Sequence, residues 1–341
     1  MARIGPEAST RRRINLALQG GGANGAFTWG VLDRLLELDL FEFEGVVGTS
    51  AGAVNAVALA HGLADGGTAE ARQALDTVWS GIADLSLLNP FASAATFLES
   101  NPLFRDAIGA QRRFASQFLG MFTPYELNPL GLNPVRDLLE RVIDFRAVRA
   151  QDMVKLFVNA TDAESGRSRI FTEMDMTVDV VMASGCLPML SQAVEIDGRH
   201  YWDGGYTENP PIYPLIYGCE TPDTLLVLIT PRAEAGEPRT MERIVSRLNR
   251  IIFTSTLRHE LREIQLLEHL RRVGELTPGT LERAHLHLID AEGEIEDRGW
   301  QSATSIDRAL LLGLRDKGRA AADAFLDTHF ADIGHRSTIA W

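Results

Sequence analysis

Three short stretches of this chain combine residue types that do chemistry. Gly48-Thr49-Ser50-Ala51-Gly52 has the form GxSxG, a hydroxyl set between glycines. Gly20-Gly21-Gly22-Ala23-Asn24-Gly25 is glycine-rich, and Gly20, Gly22 and Gly25 satisfy GxGxxG. Tyr201-Trp202-Asp203-Gly204-Gly205 places a carboxylate directly before two glycines. A serine needs a base before it attacks a carbonyl. Glycine amides, with no Cβ in front of them, can hold the negative charge that develops. His285 and His287, in AHLHLID, are the competing candidates for the base.

The elements that must position these residues follow from hydrophobic spacing. A strand is predicted over 14–19, a helix over 26–38, a second strand over 43–48 and an alanine-rich buried helix over 51–63. Strand–helix–strand–helix at this spacing implies an α/β fold, a mainly parallel central sheet covered by helices. Further strands are predicted over 154–161, 193–202, 223–230 and 284–290.

In that frame GxSxG sits between a strand and a helix. This is the setting of a nucleophile elbow, whose tight turn pushes the Ser50 hydroxyl out at the sheet edge. The helix beginning at Ala51 aims its dipole at the same spot. The glycine loop has two readings. With Glu42 or Glu44 as a ribose-binding acid it is a dinucleotide fingerprint. With its amides turned to a carbonyl oxygen it is an oxyanion loop. The loop alone does not choose. The second turn does: a dinucleotide site has no use for an exposed serine there, and its second strand would end in an acid rather than in GVVGTS.

A Ser–Asp–His order would draw on His285 or His287. These alternate on one predicted strand with no special turn around them, the pattern of packed or surface side chains. Asp203 lies on a turn where backbone approaches closely. A partly buried carboxylate can take a serine proton directly, without histidine. By residue pattern alone, however, Asp-Gly is an ordinary turn sequence.

Taken together these segments resemble the bacterial patatin-like phospholipases. The resemblance rests on the glycine loop at 20–25, GTSAG at 48–52, Ala183-Ser184 through Pro188, and the run from Asp197-Gly198 through Asp203 to Asn209-Pro210-Pro211. It implies Ser50 as nucleophile and Asp203 as its base, with no histidine, metal or cofactor. It implies an oxyanion hole from the amides of Gly21 and Gly22, helped by Ala51, with Gly20, Asn24 and Gly25 completing the loop at the substrate. Many relatives carry Lys or Arg where this chain has Asn24. An uncharged amide there leaves a neutral glyceride or short hydroxyalkanoate ester open beside a phospholipid.

The remaining chain reads as a basic disordered tail (1–13), a catalytic domain (14–292) and a C-terminal helical extension (293–341) with a helix over 303–330. Asn-Pro pairs and phenylalanines over about 85–135 mark either a cap over the sheet or a helical insertion with its own small core. Residues 239–273 form one helix or two joined ones, where Arg243, Arg247, Arg250, Arg258, Arg262, Arg271 and Arg272 outnumber Glu242, Glu260, Glu263 and Glu268. Such a helix either meets a membrane or a partner protein, or covers the sheet with a solvated face. The 341 residues hold 33 Lys plus Arg against 46 Asp plus Glu, and the formal charge of −13 argues against nucleic acid as a partner. Cys186 and Cys219 are expected as reduced thiols. No apolar run reaches the roughly 20 residues of a membrane span, so a cytoplasmic chain, at most peripheral at a membrane, is expected. No oligomeric state follows. Beside the hydrolase stands a regulatory, partner-binding protein on the same fold.

Overall fold

The computed structural model describes residues 11–87, 122–231, 236–275, 284–292 and 308–339. β1 (Arg12–Leu18) leads through the glycine loop into α1 (Gly25–Leu38), and β2 (Phe41–Gly48) leads through GTS into α2 (Ala51–Asp65). α3 (Thr68–Leu87) follows. Short helices α4 (Pro124–Leu127), α5 (Pro134–Val142) and α6 (Phe145–Ala150) precede β3 (Lys155–Asp162) and β4 (Ser168–Thr172). Next come α7 (Val178–Ser184), β5 (Val194–Ile196), β6 (Arg199–Asp203), α8 (Tyr213–Gly218) and β7 (Asp223–Leu228). α9 (Met241–Arg272), β8 (His285–Asp290) and α10 (Arg308–His329) complete the described chain.

One eight-stranded sheet runs in the order β5-β6-β3-β2-β1-β7-β8, with β4 also paired to β3. The run β3-β2-β1-β7-β8 is parallel, while β4 and β6 are antiparallel to β3. Side chains alternate across the sheet as the pleat demands. Leu16, Leu18, Val46 and Val227 face a core shared with α1, α2, α3 and α10. Ala17, Val47, Leu226 and Leu228 face a second core with Leu215, Leu257 and Ile264 from α8 and α9. A sheet covered on both faces by helices is the α/β architecture that the spacing predicts.

One register detail positions the site. Gly48, the last residue of β2, lies opposite Val158, and Asp203, the last of β6, lies opposite Ala160. β4 overlaps both pairings along Phe157–Thr161 and so occupies the other edge of β3. β6 therefore takes over the same edge of β3 that β2 leaves. The turn after β2 and the turn after β6 meet there.

Several expectations need correction. Residues 193–202 do not form one strand: Asp197 (φ 53°) and Gly198 (φ 75°) both turn left-handed and fold a hairpin. β4 had no counterpart in the reading, because a five-residue edge strand leaves little periodicity. β1 begins at Arg12, inside the stretch assigned to the tail; the Arg12 guanidinium donates to the carbonyls of Phe330 (2.5 Å) and Ile333 (2.7 Å). Most of the expected cap, residues 88–121, lies outside the described residues. α9 is a single helix whose Leu257 and Ile264 are buried on the sheet. α10 packs directly on α1. A Cβ on Gly30 would strike the Arg315 carbonyl, and one on Gly318 the Phe27 carbonyl, so the two backbones touch.

Candidate active site

The turn after β2 is strained and tightly held. Ser50 adopts φ 54° and ψ −120°, a conformation that costs a residue with a Cβ on the order of 1–3 kcal/mol. Its amide donates to the Ser184 hydroxyl (2.9 Å). The Thr49 hydroxyl donates to the Asn159 side-chain oxygen (2.5 Å), and the Asn159 amide donates in turn to the carbonyls of Gly204 (3.1 Å) and Glu208 (2.9 Å). Buried Asn159 thus ties the serine turn to the aspartate turn. A Cβ at Gly48 would strike the Gly52 carbonyl and one at Gly52 the Leu18 carbonyl, which is why small residues flank the serine.

The glycine loop lies against this turn. A Cβ at Gly20 would come within 2.7 Å of Ser50 Cβ. Asn209 clamps Gly20 from both sides: its side-chain oxygen accepts from the Gly20 amide (2.7 Å), and its amide donates to the Gly20 carbonyl (3.2 Å). Gly20 therefore contributes room and no free donor to the loop. The loop amides left without an acceptor among the described residues include those of Gly21, Gly22 and Ala23 and, at the start of α2, Ala51. Asn24 closes the loop through its backbone amide, which donates to the Gly21 carbonyl (3.3 Å). Gly25 is a packing position, where a Cβ would come within 2.7 Å of Ala51 Cβ and 2.9 Å of the Trp79 ring.

Asp203 is 1% exposed. Its Oδ1 accepts from the Gly205 amide (2.8 Å), whereas Oδ2 is buried and closes no well-formed hydrogen bond among the described residues. Burial pushes its pKa up to about 7, against the opposing pull of the Gly205 amide and the Ser50 hydroxyl. Nearby Cys186 is pushed up to about 12 by burial and by Asp203, so it stays a thiol and donates to the Gln192 carbonyl (3.0 Å).

A cavity of about 220 Å³ opens beside Ser50, walled by Val54, Trp79, Ile82, Val135, Leu139 and Met182. None of its lining residues carries a charge. Its walls are mainly apolar side chains.

The profile of the family described as patatin-like phospholipase matches residues 16–216. The chain belongs to the patatin-like phospholipase family. Membership makes it a lipid ester hydrolase. Among solved structures it is similar to VipD from Legionella pneumophila, at 16% identity over 94% of this chain and 68% of that one, with a TM-score of 0.48. It is also similar to the type III effector protein ExoU, at 17% identity over 93% of this chain and 53% of that one, with a TM-score of 0.33. A further match is ExoU in its heterodimeric complex with SpcU from Pseudomonas aeruginosa, at 17% identity over 94% and 60% of the two chains, with a TM-score of 0.34. This chain thus spans little more than half the length of ExoU. No functionally curated protein matches it.

The competing candidates lie elsewhere in this patatin-like fold. His285 and His287 are on β8, beside the start of β7 rather than the strand ends that carry Ser50. The His287 ring is bonded to Asp223 (2.9 Å), and Asp223 is held below the usual carboxylate range because the His287 and Gly334 hydrogen bonds outweigh its burial. Glu44 accepts from the amides of Glu220 (2.7 Å) and Thr221 (2.8 Å), which occupies it structurally, away from the glycine loop. Ser184 and Asn209 lie in segments that carry the resemblance, but no role was assigned to either, and Asn159 was not singled out. The one signal for Asn159 is polarity at a position that its surroundings in VKLFVNAT make buried.

Proposed function

We propose that the chain cleaves lipid carboxylic esters through Ser50 and Asp203. The observation that carries this reading is the buried Asp203 carboxylate, short of one hydrogen bond and titrating near 7, on the turn that meets the strained serine. Ser50 Oγ attacks the ester carbonyl carbon while its proton passes to Asp203. The oxyanion is stabilised by the amides of Gly21, Gly22 and Ala51. Collapse expels the alcohol, which takes the proton back from Asp203. Water, deprotonated by Asp203, then attacks the acyl-enzyme, and the fatty acid leaves as Ser50 regains its proton.

The acyl chain occupies the cavity walled by Trp79, Ile82 and Leu139. At about 220 Å³ it is small beside the roughly 300–1,000 Å³ of common ligand pockets. Together with the uncharged lining and Asn24, this favours short or neutral esters, glycerides and hydroxyalkanoates included, over long-chain phospholipids.

Hydrolysis of an ester panel from short to long acyl chains, with phospholipids and 3-hydroxybutyrate esters included, tests the reading. Wild type is expected to prefer short neutral esters, and Ser50→Ala to lose at least a thousandfold in kcat/KM. Equal inertness of both proteins across the panel would instead support a regulatory protein that binds a partner, with α9 as the contact.

A further inference from the structure

Two loops leave the walls of the Ser50 cavity, and both expose large apolar side chains. The first, residues 122–133, runs into Asn133, which caps α5, the helix that supplies Val135 and Leu139 to the cavity. The second, residues 186–193, leaves Gly185, whose Cα is close enough that a Cβ there would lie 3.7 Å from Ser50 Oγ. Hydrogen bonds join the loops: the Gln192 side chain donates to the Asn128 carbonyl (2.6 Å), and the Ala193 amide to the Tyr125 hydroxyl (3.2 Å). On this joined rim Leu130 is 80% exposed, Met189 73% and Leu132 70%, with Leu127, Tyr125 and Leu190 also open. Large exposed apolar side chains gathered on two joined loops are the kind of surface that marks a site of contact.

The charge on the rim narrows the partner. Within residues 122–133 and 186–193 the one side chain charged at neutral pH is Glu126. Its carboxylate is already engaged, accepting from the Thr123 amide (2.7 Å) and hydroxyl (2.9 Å). Neither stretch holds a lysine or arginine to meet an anionic headgroup, and charges farther away are screened beyond a Debye length of about 10 Å. We propose that this rim docks the enzyme on an uncharged or zwitterionic lipid surface, so that an ester in that surface enters the cavity beside Ser50. The inference rests on the lipid-ester reading above for what enters, and on the rim alone for what docks. It assigns the docking face to the rim rather than to α9, although Leu248 and Ile251 of α9 are exposed as well.

Co-sedimentation with phosphatidylcholine vesicles, with and without added phosphatidylglycerol, tests it. Turnover of a water-soluble butyrate ester is measured in parallel on the same proteins. Wild type is expected to bind pure phosphatidylcholine vesicles, with little change when salt is raised. The triple variant Leu130→Glu/Leu132→Glu/Met189→Glu is expected to bind at least tenfold more weakly and to keep kcat/KM on the soluble ester within about twofold. Leu248→Glu on α9 is expected to bind as wild type does. The proposal is overturned if wild type ignores phosphatidylcholine, if binding needs phosphatidylglycerol and vanishes in salt, if Leu248→Glu rather than the rim variant loses binding, or if the rim proves to be the contact of a wild-type dimer that the triple variant dissociates. Vesicle binding by a protein inert on every ester would leave the rim standing and remove the hydrolase reading.

Discussion

Asp203 has exchanged bulk water for one backbone amide, and that exchange raises its proton affinity. A carboxyl titrating near 7 is matched to a base that must both take and return a proton near neutrality. Activity on a soluble ester should therefore rise with pH through about 7, and a limb near 4 would contradict the raised value. The same shift has a cost in stability. The folded pKa lies above the unfolded value of 3.8, so this contribution is fully present below pH 3.8 and is lost as pH rises to about 7. Asp203→Asn carries no charge and escapes the loss. It should be inactive, yet more stable than wild type above pH 7 by up to about 4 kcal/mol, as read by urea denaturation at pH 5 and pH 8. Equal stability of the two proteins at pH 8 would mean that Asp203 is not the strained acid described here.

At the level of elements, the site is two strand ends on one edge of β3, and buried amides hold them in register. Asn159 joins the Thr49 hydroxyl to the carbonyls of Gly204 and Glu208, and Asn209 holds Gly20 by both its amide and its carbonyl. Removing the second clamp leaves a buried donor and acceptor unpaired, at about 1–3 kcal/mol each. Asn209→Leu should lower stability by about 2–4 kcal/mol and reduce kcat at least tenfold while KM changes little, since the loop amides act on the transition state. A rise in KM at constant kcat would place Asn209 in substrate binding instead. Neither asparagine announces its task in the sequence. Asn159 is a lone polar residue in an apolar run and Asn209 sits in a polar Thr-Glu-Asn stretch, and their partners lie 45 to 189 positions away. The serine turn, by contrast, was legible because strand, glycines and helix are adjacent in the chain.

For the whole molecule, the question is whether the C-terminal helix is an appendage or part of the core. Leu311, Leu314, Ala322 and Phe325 of α10 lie in the same cluster as Leu16 and Val46 of the sheet. Arg319 pairs with Asp33 and Glu37 of α1, which Arg72 of α3 also engages. One cooperative thermal transition is expected. Gly318→Val, which presses a branched side chain on the Phe27 carbonyl, should shift that single transition down by about 1–3 kcal/mol or more. An early separate transition in a calorimetric scan would show that the helix melts on its own.

What the sequence determined by itself is what neighbours in the chain determine. Alternating apolar residues make β1 and β2, GxSxG between strand and helix makes the elbow, and Asn24 in place of a cation keeps the loop uncharged. What only the tertiary structure decided is what depends on contacts across the sheet. The hand-over of the β3 edge from β2 to β6 brings Asp203 to the serine turn, while His287 is bonded to Asp223 on the β7–β8 pair at the far side of the sheet. Burial, which no local pattern encodes, turned an ordinary Asp-Gly turn into a carboxyl that titrates near 7.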